Sequence, residues 1–255
     1  MADMLIAGPC SLESVKVSLT VAERMKSLCD GAGLTYIFKG SFDKANRTRI
    51  DSPRGTGLDQ GLHILQRVRR EIGCATITDV HEEWQVKPVA SVVDVIQIPA
   101  MLSRQTDLIV AAARHASSGV MIKKGQAMDV EGLNAALNKV DGINTSMACL
   151  RGTAFGNGDL VMDFRDVVDL RNLGRRTIVD VTHGVMSKHR GMDFVDPDGI
   201  INDYSMALAR AAVAVGACGV FAEIHPDPEN APSDRDWMLP LSRAEELVEA
   251  VAGQG

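Results

Sequence analysis

The chain has 255 residues, of which 45% are apolar and only 4% aromatic, with a formal net charge of −6. That is a usual length for one (β/α)8 barrel, with Ala, Val, Ile, Leu and Met filling the core in place of rings. The negative balance argues against a general nucleic-acid or membrane-surface role while allowing a local basic pocket, and no run reaches the roughly 20 apolar residues of a membrane helix.

In chain order, MLIAG (4–8) predicts a strand, VKVSLTVAERMKSL (15–28) a helix, TYIFK (35–39) a strand and LDQGLHILQRVRREI (58–72) a helix. Further strands are predicted at ATITD (75–79), VDVIQI (93–98), VMIKK (120–124), TSMACL (145–150), TIVDVT (177–182) and GVFAEI (219–224). SMALARAAVAVG (205–216) and SRAEELVEAVA (242–252) again show helical spacing, the last with Ser242 as its N-cap. Most strand runs are continuously apolar, as suits strands covered on both faces. Strands alternating with helices predict an α/β fold, a single (β/α)8 barrel over residues 1–255. An open doubly wound sheet has the same local signature. No G-x-G-x-x-G follows the first strand and no P-loop is present, which weighs against its nucleotide-binding form.

The N-terminal MADMLIAGPCSLES lacks a basic segment and a long apolar run, so no signal peptide is expected and the predicted location is cytoplasmic. The five cysteines (Cys10, Cys29, Cys74, Cys149 and Cys218) are odd in number and scattered, which argues against a disulfide framework. Four lie in or beside apolar runs. Cys10 instead ends a strand and meets polar residues.

Active sites of such barrels lie at the C-terminal ends of the strands, where the unusual polar residues of this chain collect. Cys10 follows the first strand, Lys39 and Lys44 the second, and Asp79 the third. Gln97 ends the fourth, and Lys123 and Lys124 the fifth. Arg151 follows the sixth, Asp180 and His183 the seventh, and Glu223 and His225 the eighth. Each alone reads more often as a solvated loop residue; the joint pattern marks a site. Lys39, Lys44, Arg47, Lys124 and Arg151 would bring so many cations together that anions should sit among them, and two phosphorylated substrates, one also a carboxylate, would account for the set. Cys10, His183, Glu223 and Asp234 offer sulfur, imidazole and two carboxylates, donors suited to a borderline divalent metal such as iron, zinc, manganese or cadmium. Spacing alone leaves a buried thiol beside ordinary carboxylates equally open.

The strings IAGPCSLES, FKGSFDKANRTR, RGTGLDQGL, TDVHE, QIPAMLSRQTDL, IKKGQ, RGTAFG, DVTHGV, RAAVAVGACGVFAEIHPDP and SDRDWMLPL occur in that order. Together they resemble the signature segments of the 3-deoxy-D-manno-octulosonate 8-phosphate synthases, relatives of the 3-deoxy-arabino-heptulosonate 7-phosphate synthases, from about residue 4 to residue 248. KANR followed by Thr is the most specific segment. The resemblance implies a homotetrameric barrel that condenses phosphoenolpyruvate with arabinose 5-phosphate and releases phosphate. It implies that Lys39, Lys44, Lys124 and Arg151 hold phosphoenolpyruvate, with Gln97 and Ala100 lining its site. Asn46, Arg47 and Thr48 match the segment that receives the sugar phosphate, the arginine reaching into a neighbouring subunit's site. Cys10, His183, Glu223 and Asp234 match a metal quartet, and cysteine at the first position matches the metal-dependent members. Lys44, Asn46, His183 and Asp234 are the implied catalytic residues, with Lys44 a candidate for delivering a proton to the aldehyde oxygen and a water on the metal the alternative.

The departures from that pattern cluster on the acceptor side. Asp51 and Pro53 stand where a histidine and an aromatic residue are expected. AMDVEGL follows KKGQ, Asn157 replaces a tyrosine, and the stretch 184–204 differs in charge pattern. An alternative reading is therefore a related synthase with another aldose phosphate acceptor. Rivals from other classes are a catalytically silent binding homologue and a lysine Schiff-base aldolase. His63, His115 and His189 read as ordinary surface residues, Met128, Met147, Met162 and Met206 as packing residues, and Trp84 and Trp237 as packing anchors. For Asp79, a role orienting a lysine or a substrate hydroxyl stands beside a purely structural one.

Overall fold

Eight strand-type runs pair side by side into one closed, all-parallel barrel. The computed structural model describes residues 2–154, 160–186 and 200–253. Its barrel strands are β1 (Met4–Gly8), β2 (Thr35–Lys39), β3 (Ala75–Asp79), β4 (Val95–Ile98), β5 (Gly119–Lys123) and β6 (Ser146–Leu150), followed by β9 (Arg176–Asp180) and β10 (Gly219–His225). Neighbours in space follow chain order, and β10 closes the barrel on β1 in a register running from Met4 opposite Gly219 to Gly8 opposite Glu223. Between β6 and β9, β7 (Thr153–Ala154) and β8 (Leu160–Val161) form a small antiparallel hairpin, and β11 (Leu239–Pro240) runs parallel to the end of β10. Neither short pairing was predicted. Asn157, His189 and most of the 184–204 stretch lie outside the described residues.

The helices are α1 (Val15–Gly31), α2 (Leu58–Ile72), α3 (Glu83–Ala90), α4 (Thr106–His115), α5 (Val130–Leu137), α6 (Arg165–Asn172), α7 (Ile200–Ala214) and α8 (Ala244–Ala252). α2 buries Gly61, Ile64, Leu65 and Val68, a stripe at helical spacing laid on the barrel. It stops at Gly73, which takes a left-handed φ of 72° as C-cap. α1 starts at Ser14, whose hydroxyl accepts from the Val17 amide at 3.2 Å. Ser242 does not cap the last helix. It lies inside a 3-10 turn (Leu241–Arg243), so the α-helix starts two residues later, with Arg243 as its N-cap.

Strand parity divides the apolar residues into two cores. Met4, Ile6, Ile37, Ile77, Val95, Met121, Met147, Cys149, Ile178 and Phe221 fill the barrel interior. The alternate residues, such as Leu5, Phe38, Ile96, Ile122, Val179 and Ala222, face the helices in the larger cluster. Burying one such side chain contributes on the order of 1.5–3 kcal/mol, so a register slip that exchanged the two faces would be strongly opposed.

Candidate active site

The interior rows end in chemistry. Two residues beyond Ile37, Ile77, Val95, Met121, Ile178 and Phe221 stand Lys39, Asp79, Gln97, Lys123, Asp180 and Glu223, each on the same inward parity. Arg151 continues the row of Cys149, and Cys10 that of Ile6 and Gly8. A Cβ at Gly8 would lie 1.9 Å from the Lys39 carbonyl oxygen, so glycine alone lets the end of β1 pass this close to β2.

Above the rows opens a cavity of about 590 Å3. Lys39, Lys44, Asn46, Arg47, Thr48, Gln97, Ala100, Arg151, His183, Glu223 and Asp234 all line it. Two expected residues do not. Cys10 lies just behind the wall, buried. Lys124 has the opposite parity to Met121, so its buried side chain leaves the cavity: its Nζ donates to Thr153 Oγ1 at 2.6 Å and pairs with Asp166 at 3.2 Å. Its neighbour Lys123 lines the cavity instead. The structure thus brings Lys123, and not the expected Lys124, into the cavity.

The floor is a set of interlocked charges. Lys39 Nζ donates to Glu223 Oε1 at 3.1 Å, and Lys123 Nζ to Asp180 Oδ2 at 2.5 Å. Asp180 also accepts from the His183 amide at 2.9 Å and holds His183 Nδ1 at 2.8 Å. Burial pushes the carboxyls of Asp180 and Glu223 up, but nearby cations more than reverse this. His183 and Lys123 hold Asp180, and Lys39 and His183 hold Glu223, well below the usual carboxylate range. Burial likewise opposes charge on Lys44, yet Cys10, Glu223, Asp79 and Asp234 raise it above its ordinary value, so it stays an ammonium. On the opposite wall, His81 Nε2 meets Asp79 Oδ2 at 3.0 Å.

Cys10, Glu223 and Asp234 place their ligand atoms within 4.8 Å of one another. The Cys10 thiol donates to Asp234 Oδ2 at 2.8 Å and accepts from Ser233 Oγ at 2.9 Å. Burial, reinforced by Glu223, pushes this thiol well above its ordinary pKa. Glu223 Oε2 is buried with no hydrogen-bond partner among the described residues, a costly state that a cation would relieve. Asp234 has a φ of 49°, the only left-handed backbone among the described non-glycine residues, as at other strained functional positions. A soft sulfur with two carboxylate oxygens fits a divalent metal. His183, the expected fourth ligand, is not in this compact group. It lines the same cavity with Nδ1 engaged by Asp180, the arrangement that orients a metal-binding imidazole through its other nitrogen.

Four further buried atoms of the cavity residues have no partner among the described residues: Gln97 Oε1, Arg151 Nη1, Asp79 Oδ1 and His81 Nδ1. Residues missed by the sequence reading also line the cavity: His81, Arg49, Ser41, Ser52 and Gln126, while Lys123, noted after its strand, had been given no binding role. Counting inward parity from Met121 and Ile77 would have found Lys123 and His81; the loop residues carry no periodic signal. Asp180, noted after its strand but given no role, proves to anchor both Lys123 and His183. His225 is tied to Glu13 Oε1 at 3.2 Å and to the Asp227 amide at 3.0 Å, outside the cavity lining. His63 and His115 are exposed, as is Trp84, while Trp237 and Met206 are buried.

The profile of the DAHP synthetase I family matches residues 2–254. The chain belongs to the DAHP synthetase I family. Within this family it is similar to the 2-dehydro-3-deoxyphosphooctonate aldolase of Magnetococcus marinus, 45% identical over 96% of this chain and 85% of that protein. The proteins of the same name from Bartonella henselae and Fusobacterium nucleatum are 43% and 42% identical over 97% and 96% of this chain, covering 88% and 87% of their own lengths. DAHP synthetase I membership and these relatives agree with the resemblance carried by the KANRT and DVTHGV segments.

Proposed function

We propose that this chain is a 3-deoxy-D-manno-octulosonate 8-phosphate synthase, which joins phosphoenolpyruvate to arabinose 5-phosphate with release of phosphate. The observation that carries this reading is the pairing of a cation floor with a thiol–carboxylate cage at the wall of one cavity, in a chain whose relatives bear the octulosonate name. Residues 1–255 act in it as a single catalytic unit.

Lys39, Lys123 and Arg151 supply cations at the base for the phosphate and carboxylate of phosphoenolpyruvate, with Gln97 and Ala100 on the adjoining wall. Arg47, with Asn46 and Thr48, takes the acceptor phosphate at the rim. Holding both anions fixes the nucleophilic third carbon beside the aldehyde and turns a two-body encounter into a positioned one. The new carbon–carbon bond forms there. Water adds to the second carbon, and the carbon–oxygen bond to phosphate breaks, so the products are the ulosonate phosphate and inorganic phosphate. Lys44, kept charged by its anionic neighbours, stabilises negative charge growing on the aldehyde oxygen and is a candidate donor of a proton to it. Cys10, Glu223 and Asp234, joined by His183, would hold a divalent metal, iron, zinc or manganese, which when bound polarises the aldehyde.

The five cysteines are free, as suits a reducing, cytoplasmic setting, and no described helix is long and apolar enough to cross a membrane. The partners are small phosphorylated molecules, with neither nucleic acid nor membrane. A homotetramer sharing the acceptor-phosphate site across subunits belongs to the same reading, and the fully exposed Ile50 beside Arg49 at the rim offers an apolar edge for a neighbouring copy. The test is phosphate release from phosphoenolpyruvate with a panel of aldose phosphates. Preferred turnover of arabinose 5-phosphate supports the assignment; preference for another aldose phosphate moves it to a related synthase, and release with none overturns it.

A further inference from the structure

Phe221 is the one aromatic side chain among the described residues of the barrel interior; the rest of that layer is aliphatic or sulfur-bearing. It is fully buried, on β10 two residues below Glu223, and its ring carries two ammonium groups. Lys123 Nζ lies 3.7 Å from the ring centroid and Lys39 Nζ 5.5 Å. Besides this ring, the charged partners of these lysines are Asp180 Oδ2 and Glu223 Oε1. An aliphatic floor would offer two desolvated cations nothing on that side. The negative face of a benzene ring attracts them, and the attraction grows where water is excluded.

We propose that Phe221 is a positioning residue for the substrate-binding cations: its ring face seats the Lys123 ammonium, and more weakly that of Lys39, at the height where they meet an anionic substrate. It acts through the lysines and touches no reacting atom. The ring supplies attraction without adding a second counter-charge to the one Asp180 already provides. This inference rests on the phosphoenolpyruvate reading above.

The test replaces Phe221 with 4-fluoro-, 3,5-difluoro- and 3,4,5-trifluorophenylalanine in the full-length protein. These rings keep nearly the same shape while their negative face fades stepwise. Phosphoenolpyruvate binding is measured by calorimetry and folding by thermal unfolding. The expected result is a dissociation constant that rises in step with fluorination, reaching about tenfold, or about 1.4 kcal/mol, for the trifluoro ring, at nearly constant Tm. Phe221→Leu should weaken binding at least as much and abolish the upfield ring-current shift of the Lys123 side-chain protons. A flat fluorination series, with binding intact, overturns the role of Phe221 and leaves it a packing residue. No phosphoenolpyruvate binding by the unsubstituted protein would instead overturn the reading on which the inference rests.

Discussion

The floor and the rim of the cavity hold their charges in different ways. At the floor, Lys39, Lys123, Asp180 and Glu223 sit on strand ends, buried, each cation met by a buried carboxylate. At the rim, the 43–55 loop is pinned by exposed links: Arg49 to Asp51, Arg54 to Asp43, and Arg47 to the carbonyls of Pro53 and Pro232. Buried pairs are expensive to break, whereas exposed ones add little and are screened by salt. The floor thus has one geometry built into the barrel, suited to a fixed co-substrate. The rim can change residues without endangering the fold, and Asp51 and Pro53, two of the departures read from the sequence, lie in it.

The hardest blow to this contrast should come from exchanging neighbours on β5. Lys123→Met is expected to lower kcat/KM for phosphoenolpyruvate by about 10²–10³. Lys124→Met, which breaks the pair with Asp166, should lower Tm while costing roughly tenfold or less in kcat/KM. Equal kinetic losses would erase the distinction drawn from parity.

Asp180→Asn removes the anchor of both Lys123 and His183, and urea unfolding should show a loss of about 3–5 kcal/mol. The same carboxylate sets a pH dependence. Its folded pKa is depressed, so its contribution is complete above the unfolded value of about 4 and is lost as pH falls through the folded value. Stability should therefore decline from about pH 4 downward, and Asp180→Asn should flatten that decline. An unchanged acid slope would mean that the buried pair contributes nothing to it.

Cys10→Ser sharpens the comparison from the cage side. Metal affinity, followed by competition with a chromogenic chelator, should fall by more than the roughly 10–100-fold that loss of an outer-shell partner costs, the thiolate-to-cobalt absorption band should vanish, and one proton should be released per metal bound to the native protein, because the raised thiol must ionise. Chelation that leaves turnover unchanged, with metal content near zero, would remove the metal from the mechanism.

Rim changes should be smaller and selective. Arg47→Ala is expected to raise the acceptor KM roughly tenfold or more and leave that for phosphoenolpyruvate nearly constant. Asp51→Asn should shift only the acceptor KM, by roughly threefold or less, with Tm unmoved. A rim substitution that unfolded the protein would contradict the independence of the two regions.

The barrel was legible because its strands are buried on both faces and read as short apolar runs; β1, β2 and β3 fall where the runs end. The β7–β8 hairpin and β11 escaped because two-residue pairings have no periodicity to read. Lys39, Lys44, Asp79, Gln97, Lys123, Arg151, His183 and Glu223 were legible in the cavity as polar residues following strands. Lys123 and Lys124 both follow the fifth strand, and proximity to a strand end, counted without parity, could not say that Lys123 is the one that lines the cavity. His183 was expected among the ligands, but only a folded backbone shows that Asp180 claims one of its nitrogens first.

The closure of β10 on β1 also has a consequence in time. Cys10 and Asp234 lie 224 positions apart, so a chain emerging from the ribosome exposes this thiol long before the carboxylates it will meet exist. Until the last barrel strand docks, that cysteine faces the cell as a lone thiol. A stalled or clipped product would therefore carry the sulfur without its carboxylate neighbours.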